Sequence, residues 1–431
     1  MSTTDNWALV TIEQCCEILD SKRIPINADE REKRIGDIPY YGANGLQGFI
    51  DDFIFDEPLI LIAEDGGRFD DFRTSAIAYR VFGKSWVNNH AHVLRAKSEF
   101  CQDAIFYSLE HKDIRSFIVG GTRSKLNQGA LRAITLFLPN SKEEQTKIAE
   151  ILWTVDNAIE RTKELISKQQ RIKTGLMQNL LTRGIDEHGN IRSEQTHQFK
   201  DSALGRIPVE WEVTELGSVA ELVTSGSRGW AQYYSAEGAT FLRIGNLTRE
   251  HINLRMDNLV YVCPPKSSEG RRTSVASGDI LISITADLGI IGVIPEHFGE
   301  GYVNQHIALI RLLPTTEVNS RFVGWYLAGQ GGQSQFEKLN ESGAKAGLNL
   351  PTIRKLLFPL MNASEQVKIS GILDSISKSI SDLYSQLYKL RSLKTALMQD
   401  LLTGKRRVDT LLNDTEVMVN ESGKNTPAHQ N

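Results

Sequence analysis

Apolar residues recur at alternating steps of four and three near the C-terminal end of the chain. This heptad rhythm persists for about five repeats, which is typical of a coiled-coil helix rather than an ordinary amphipathic one. The pattern predicts a long helix over 365–407, and only Lys394 interrupts its apolar stripe. The positions of the stripe are Ile369, Leu373, Ile376, Ile380, Leu383, Leu387, Leu390, Lys394, Leu397 and Leu401.

The same pattern stands 221 residues earlier. EQTKIAEIL at 144–152 matches EQVKISGIL at 365–373, and 173–182 matches 394–403 at the same offset without a gap. A second helix is predicted over 144–185, with Lys173 equivalent to Lys394. Matched seams with one polar layer each favour an antiparallel pair within the chain; the alternative is that each helix packs on its own domain. The earlier stripe is Ile148, Leu152, Val155, Ile159, Thr162, Ile166, Gln169, Lys173, Leu176 and Leu180.

The segments that precede the two helices in the sequence are predicted to form strands and turns. LILIA at 59–63 and DILISI at 279–284 are buried strands by pattern, and WVNNHAHVLR at 86–95 echoes YVNQHIALIR at 302–311. The predicted fold is α/β (α+β), with two mixed domains joined by two long antiparallel helices in a pseudo-twofold repeat. The predicted boundaries are 1–143 for the first domain, 144–185 for the first helix, 186–208 for a linker, 209–364 for the second domain, 365–407 for the second helix and 408–431 for a disordered tail.

Composition and net charge exclude several classes of protein. The 431 residues carry a net charge of -4 with 40% hydrophobic and 24% charged residues, which excludes disordered and fibrous chains. A protein that binds nucleic acid through bulk positive charge is also excluded. The predicted helices are nevertheless basic, at +2 for 144–185 and +4 for 364–407. DNA binding would therefore depend on local arrangement and would be weak without partners.

No catalytic or metal motif is complete in this sequence. The Pro-Pro pair at 264–265 has the wrong flanks for an amino-methyltransferase loop, and Gly83-Lys84-Ser85 has Ala78 where a phosphate loop needs glycine. The four cysteines lack zinc spacing, so no metal is expected. His90 and His306, in matching NNH and NQH turns, could be imagined as bases or ligands, but their repetition favours a structural role.

Without a signal peptide or an apolar run of about 18 residues, a cytoplasmic location away from membranes is expected.

Several short motifs follow one another in the same order in both halves of the chain. They are GDIPYYGANG at 36–45, VNNH at 87–90, EQ at 144–145, LMQNLL at 176–181, LGRIPVEW at 204–211, VNQH at 303–306, GLNLP at 347–351, EQ at 365–366 and LMQDLL at 397–402. In these motifs and their order the chain resembles the specificity subunits of type I restriction-modification enzymes, and the resemblance covers nearly the whole chain except the tail.

The resemblance implies a DNA-recognition chain without catalysis of its own. Each target-recognition domain would read one half of an asymmetric bipartite DNA site, and the helices would set the spacer. Two modification subunits would bring S-adenosylmethionine, and restriction subunits would bring ATP and Mg²⁺, with no cofactor in this chain. Two alternatives stay open: the specificity chain of a related type II system with fused methylase and nuclease, and a non-DNA coiled-coil scaffold for two adaptor domains.

Arg, Asn and Gln read bases, while Lys, Arg and Ser bind phosphates, so loop residues of these kinds are the DNA-binding candidates. They are Tyr41, Asn44, Arg68, Arg73, Arg123 and Lys125 in the first domain, and Ser227, Arg228, Arg243, Asn246, Arg271, Arg272 and Lys345 in the second.

The helix ends carry more apolar positions than one seam uses, which favours docking of a partner helix over simple burial against a domain. These partner-binding candidates are Leu176, Met177, Leu180, Leu181, Leu397, Met398, Leu401 and Leu402.

The helices predict a measurable spacer. From 144 to 182, a rise of about 1.5 Å per residue gives roughly 57 Å. Inserting four residues near Gln169 should lengthen the DNA spacer and leave both half-sites intact, as read by methylation-aware sequencing. An unchanged spacer would contradict the prediction.

Overall fold

The computed structural model describes residues 6–120, 124–226, 228–264, 268–341 and 348–408. The chain forms two compact units, one of Met1–Lys163 with Gln386–Asn431 and one of Glu164–Ser385. Each unit therefore holds one sheet-containing domain together with portions of both long helices. The predicted α/β architecture is confirmed.

The first unit contains a pair of short β-sheets and one two-stranded ribbon. Its strands are β1 (Trp7–Thr11), β2 (Cys16–Ile18), β3 (Ile38–Gly42), β4 (Gly45–Ile50), β5 (Phe55–Asp56), β6 (Leu59–Ala63), β7 (Ala78–Val81), β8 (Lys84–Val87), β9 (Ala91–Ala96) and β10 (Thr135–Pro139). Its helices are α1 (Ile12–Cys15), α2 (Ala28–Lys33), α3 (Gln102–Glu110), α4 (Gln128–Ala133) and the beginning of α5 (Lys142–Leu180). The sheet orders are β2-β9-β6-β7, β4-β3-β8-β5 and β1-β10.

The second unit repeats this scheme. Its strands are β11 (Phe199–Ser202), β12 (Gly205–Pro208), β13 (Glu212–Glu215), β14 (Ala220–Ser225), β15 (Tyr234–Ser235), β16 (Ala239–Leu242), β17 (Val260–Val262), β18 (Ile280–Ser283), β19 (Ile291–Val293), β20 (Gly301–Val303), β21 (Ile307–Leu312) and β22 (Leu357–Leu360). Its helices are α6 (Ser268–Thr273), α7 (Ser320–Ala328), α8 (Gln330–Glu341), α9 (Leu350–Arg354) and the beginning of α10 (Ala363–Leu401). The orders β14-β21-β18-β19 and β13-β22 match the first unit, and the parallel pair β16–β20 matches β3–β8.

Helices α5 and α10 each contain 39 residues, and the predicted stripe is their buried face. Ile148, Leu152, Ile369 and Leu373 are essentially inaccessible to solvent. In the first unit the helices run antiparallel, because Asp156 pairs with Lys394 while the earlier Glu144 pairs with the later Arg407. In the second unit the same direction follows from the hydrogen bond between Gln170 and Tyr384 and the contact of the Ile185 N–H with Glu365.

Each long helix begins with the same buried polar pair. The Gln145 side chain accepts from the Cys101 N–H (2.8 Å) and donates to the Pro139 carbonyl (2.8 Å). Gln366 does the same with the Asn319 N–H (2.9 Å) and the Met361 carbonyl (2.8 Å). These amides satisfy backbone groups that burial would otherwise leave unpaired.

The glutamates beside them bind arginines that follow the opposite helix. Arg407 donates twice to Glu144, at 2.6 and 2.9 Å, within the first unit. Arg192 donates twice to Glu365, at 2.5 and 3.1 Å, within the second unit. Both carboxylates are about 95% buried or more.

The segment boundaries differ from the predictions in two places. The region predicted as a linker contains the hairpin β11–β12, whose ladder pairs Phe199 with Pro208. Val408, the first residue of the predicted tail, is 2% exposed in the core of the first unit, and residues 409–431 lie outside the described part of the chain. Among the described residues, no helix combines the length and apolar character needed to cross a membrane.

Candidate nucleic-acid interface

Four loops meet at one end of the first domain. The Asn88 N–H donates to the Tyr41 carbonyl (3.0 Å), which ties the loop after β8 to the end of β3. The Glu64 N–H donates to the His90 carbonyl (2.8 Å), and the Leu126 N–H donates to the Glu64 carbonyl (2.8 Å). The loops after β3, β6 and β8 and the segment before α4 therefore form one surface.

The second domain repeats these three backbone bonds. The Asn304 N–H donates to the Leu242 carbonyl (3.0 Å), the Ile284 N–H to the His306 carbonyl (3.0 Å), and the Leu348 N–H to the Ile284 carbonyl (2.9 Å). We call each of these surfaces a loop end. The two loop ends thus share a backbone framework, while their side chains differ.

The two matching histidine turns have the predicted structural role. The Asn88 side chain accepts from the His90 N–H (2.8 Å), and the Asn304 side chain accepts from the His306 N–H (3.2 Å). The ring of His90 lies 3.0 Å from Asp65, and that of His306 lies 2.7 Å from the Thr285 hydroxyl. The asparagine–histidine turn therefore closes the loop after the parallel strand in both domains.

A buried ionic cluster supports the first loop end, and sequence reasoning missed it. His92 is 1% exposed, with Nδ1 2.6 Å from Asp20 and Nε2 2.7 Å from the Leu126 carbonyl. Arg23 binds Glu64 (2.9 Å) and also donates to the Ala91 carbonyl (2.8 Å). Asp20, Arg23, Glu64 and His92 thereby connect the bases of three loops.

Asp20, Glu64 and His92 lie close enough together to share a cation. Both ring nitrogens of His92 are, however, engaged with protein acceptors, so the ring donates twice rather than offering a lone pair. Burial raises the pKa of Asp20, but the hydrogen bond and charge of His92, together with the Val93 N–H and Arg23, outweigh it and hold that pKa below its ordinary value. We therefore interpret the cluster as an ionic support for the loops.

The structure brings three of the first-domain candidates together. Asn44 donates to the Gly66 carbonyl (3.0 Å), Arg68 is exposed two residues further on, and Lys125 is half exposed at 3.8 Å from Glu64. Tyr41 is half-buried 6.0 Å from Tyr79, and burial raises its pKa.

Arg73 lies away from this group. Its guanidinium is 5.6 Å from the Phe72 ring, which also contacts Arg115. Arg123 lies outside the described residues.

The second-domain candidates include three arginines that the structure describes and two residues that lie outside the described part of the chain. Arg228 is exposed beside Gly226, whose N–H reaches the Ile307 carbonyl (3.3 Å). Arg272 donates to the Thr224 hydroxyl (2.7 Å) and the Ser225 carbonyl (2.8 Å) on β14, and Arg271 is exposed on α6. Ser227 and Lys345 lie outside the described residues.

Two further candidates stand on the turn after β16. Arg243 is half-buried and donates to the Asn258 carbonyl (3.3 Å). Asn246 is only 2% exposed, with its side chain bonded to the Arg243 N–H (2.9 Å) and the Arg255 carbonyl (3.0 Å). The assignment of Asn246 to DNA is therefore corrected, because its amide stabilises a turn.

Two glutamines at the loop ends were not among the candidates. Gln47 is exposed and accepts from the Asn88 side chain (3.3 Å). Gln305 lies in the turn after β20, with its amide nitrogen 3.0 Å from the His306 ring. Their positions beside the GANG turn and inside the repeated NQH motif were the available signals.

The apolar side chains at the helix ends pack within their own units, some completely and some in part, and docking of a partner at these ends stays a prediction. Leu180 (1% exposed) and Leu181 (5%) lie in the core of the second unit, and Leu176 and Met177 pack against that core. Leu401 (5%) lies in the core of the first unit, with Leu397, Met398 and Leu402 against it. The second apolar face of each helix is therefore used by the adjoining domain of the same unit.

Comparisons with known proteins agree with this architecture. A family model described as "Type I restriction modification DNA specificity domain" matches residues 4–169 and 208–389. The chain is 24% identical to the type I restriction enzyme MjaVIII specificity subunit of Methanocaldococcus jannaschii, covering 94% of each chain. It is 25% identical to the putative type I restriction enzyme specificity subunit S.HindORF215P of Haemophilus influenzae, covering 86% of this chain and 88% of that one.

A solved structure shows the same fold. The type I restriction-modification S subunit from M. genitalium superposes with a TM-score of 0.64 at 17% identity, over 92% of this chain and 96% of that one. The match of the family model over most of the sequence shows that this chain belongs to the family of type I restriction-modification DNA specificity subunits.

The ionic cluster predicts a pH-dependent stability. Asp20→Asn removes the carboxylate that pairs with the buried His92, so we expect a loss of about 3 kcal/mol in unfolding free energy at neutral pH, measured by urea denaturation. Because the folded pKa of Asp20 lies below that of an unfolded aspartate, this stabilisation is present above the unfolded pKa and is lost as the pH falls through the lower folded pKa. The exposed Asp113→Asn is the control and should change little; an equal effect of both variants would contradict the assignment.

Proposed function

We propose that this chain recognises an asymmetric bipartite DNA sequence, with one loop end bound to each half-site. The observation that carries the proposal is the repetition of the loop end: the same three backbone bonds support two sets of different polar side chains. A shared framework with different side chains is what reading two unlike sequences requires. The family membership supports DNA as the ligand.

In the first domain we assign DNA contacts to Asn44, Gln47, Arg68 and Lys125. Asparagine and glutamine suit adenine edges, whereas the exposed arginine and lysine suit guanine or phosphate. In the second domain we assign Arg228, Arg271 and Gln305, with Arg272 held on β14 beside them. Phosphate contacts would outnumber base contacts and give salt-dependent affinity.

The proposed role is recognition and assembly without catalysis. Methyl transfer would come from two modification subunits that bind S-adenosylmethionine, and ATP- and Mg²⁺-dependent translocation and cleavage would come from restriction subunits. The two 39-residue helices would set the distance between the half-sites.

We place the modification-subunit contact on an exposed apolar groove of the second unit. The groove has a volume of about 840 Å³ and is lined by α5 at Gln169 and Leu176 and by α10 at Val367, Gly371 and Ile372. Val367 is 55% exposed and Ile372 38% exposed, and open space surrounds the Gly371 Cα. Apolar side chains left in water beside a shallow groove favour the docking of an amphipathic helix.

Exchange of one domain tests the recognition proposal. Replacing residues 1–143 with the first domain of another family member should change one half of the methylated sequence, because each loop end lies within one domain. Methylation-aware sequencing of a host carrying the hybrid complex reads both halves directly. The reciprocal exchange of 209–364 is the matched control and should change the other half; altered reading of both halves by either hybrid would contradict the proposal.

A charge placed in the groove tests docking. Ile372→Glu should weaken binding of the modification subunit at least tenfold, because a carboxylate would have to be desolvated in the interface. Ser385→Glu adds the same charge on an exposed position of α10 outside the groove and should leave the affinity unchanged. Affinity is measured by biolayer interferometry with purified subunits; equal affinities of the two variants would place docking elsewhere.

A further inference from the structure

The two lysines that interrupt the helix stripes lie in equivalent surroundings. Lys394 sits over the Tyr107 ring, 5.6 Å from its centre, in the first unit. Lys173 sits over the Trp325 ring at 5.0 Å in the second. Tyr107 and Trp325 occupy the sixth position of α3 and α7, two nine-residue helices whose starts are held by Gln145 and Gln366 in the same way.

Their charged partners, however, differ. Lys394 lies 2.9 Å from the Glu110 carboxylate and 2.8 Å from Asp156, so its ammonium is neutralised within the unit. The equivalent of Glu110, at the last position of α7, is Ala328, and the equivalent of Asp156, 221 residues later, is Ser377. Both carboxylates are thus missing around the second lysine.

Among the described residues, no carboxylate pairs directly with Lys173 in their place, although Glu250 is close enough for its charge to act on it. Its ammonium donates to the backbone carbonyl of Glu250, and among the described residues no carboxylate oxygen lies within 4 Å of it. Burial lowers the pKa of Lys173, which the charge of Glu250 opposes only in part. The ammonium is therefore partly desolvated without a close anionic partner.

A cavity of about 630 Å³ occupies the space where those carboxylates would stand. Ser377 is 5% exposed, and its hydroxyl has no hydrogen-bond partner among the described residues. The Tyr384 hydroxyl oxygen accepts a hydrogen bond from the Gln170 side chain (2.9 Å). The hydroxyl proton of Tyr384 therefore points away from Gln170 and can be donated to another group. The polar lining residues are Gln170, Lys173, Thr174, Arg249, Glu250, His251, Ser377, Ser381 and Tyr384.

The geometry points to an anion site, and we propose that this cavity binds a small free anion with carboxylate or phosphate oxygens beside Lys173. The anion replaces the pair of carboxylates that neutralises Lys394 in the first unit, and it accepts hydrogen bonds from the Ser377 and Tyr384 hydroxyls. The volume is within the range of about 300–1,000 Å³ found for small-molecule sites. The site thus lies where the two copies of the repeat differ, since the first copy has two internal acids beside its lysine and the second has Ala328 and Ser377 at the equivalent positions.

The test is calorimetric titration of the full chain with succinate and with inorganic phosphate at constant ionic strength. Binding of either anion at one site per chain is expected, and the stronger of the two identifies the oxygen chemistry that the site prefers. Lys173→Met should weaken that binding at least tenfold, whereas Lys378→Met, at an exposed lysine of the same unit, should leave it unchanged. Absence of heat with both anions would overturn the proposal, as would equal binding by the two variants.

A second variant supplies the missing acids from the chain itself. Ala328→Glu with Ser377→Asp recreates the surroundings of Lys394, so the double variant should lose anion binding and gain thermal stability in anion-free buffer. Wild-type stability should rise on adding the preferred anion, since a ligand that binds only the folded state stabilises it. Retention of full anion affinity by the double variant would show that the cavity beside Lys173 is not the site.

Discussion

The structure depends on two buried carboxylates, Glu144 and Glu365, that stand at the first turns of the long helices. Each carboxylate accepts two hydrogen bonds from an arginine that follows the opposite helix. Each pair therefore fixes the start of one helix beside the end of the other. A buried ion pair contributes little net stability, yet removing one partner is costly because the other charge is left buried, and we infer that these two pairs specify the register of the helices. Within each unit, a one-residue slip of the helix start would leave a buried charge unpaired.

The loop ends are organised by a different principle. Backbone hydrogen bonds that recur in both domains hold the loops together, and the side chains on them are unconstrained by that framework. In the first domain, ion pairs among Asp20, Arg23, Glu64 and His92 add to this backbone support. Recognition residues can therefore vary without disturbing the fold, because the bonds that position the loops come mainly from the main chain.

Periodicity and duplication in the sequence were sufficient to predict the helices, their direction and the two α/β domains, since these features depend on local spacing. Contacts between distant residues were not predictable in this way. Asp20 and His92 are 72 positions apart and show no motif, and the amide of Asn246 looked available because its burial depends on the path of the loop to Arg255. An apolar stripe also does not reveal which neighbour covers it, and the structure packs the leucines at the helix ends against the domain of the same unit.

The division of the chain into units also bears on its synthesis. The second unit is one continuous stretch, Glu164–Ser385, whereas the first joins Met1–Lys163 to the last segment, from Gln386 onward. On the ribosome, the second unit has all of its residues as soon as Ser385 emerges. The first domain, although translated earliest, waits for Leu401, Arg407 and Val408 to complete its core and its ion pair. The domain that is made first is therefore the one that is finished last.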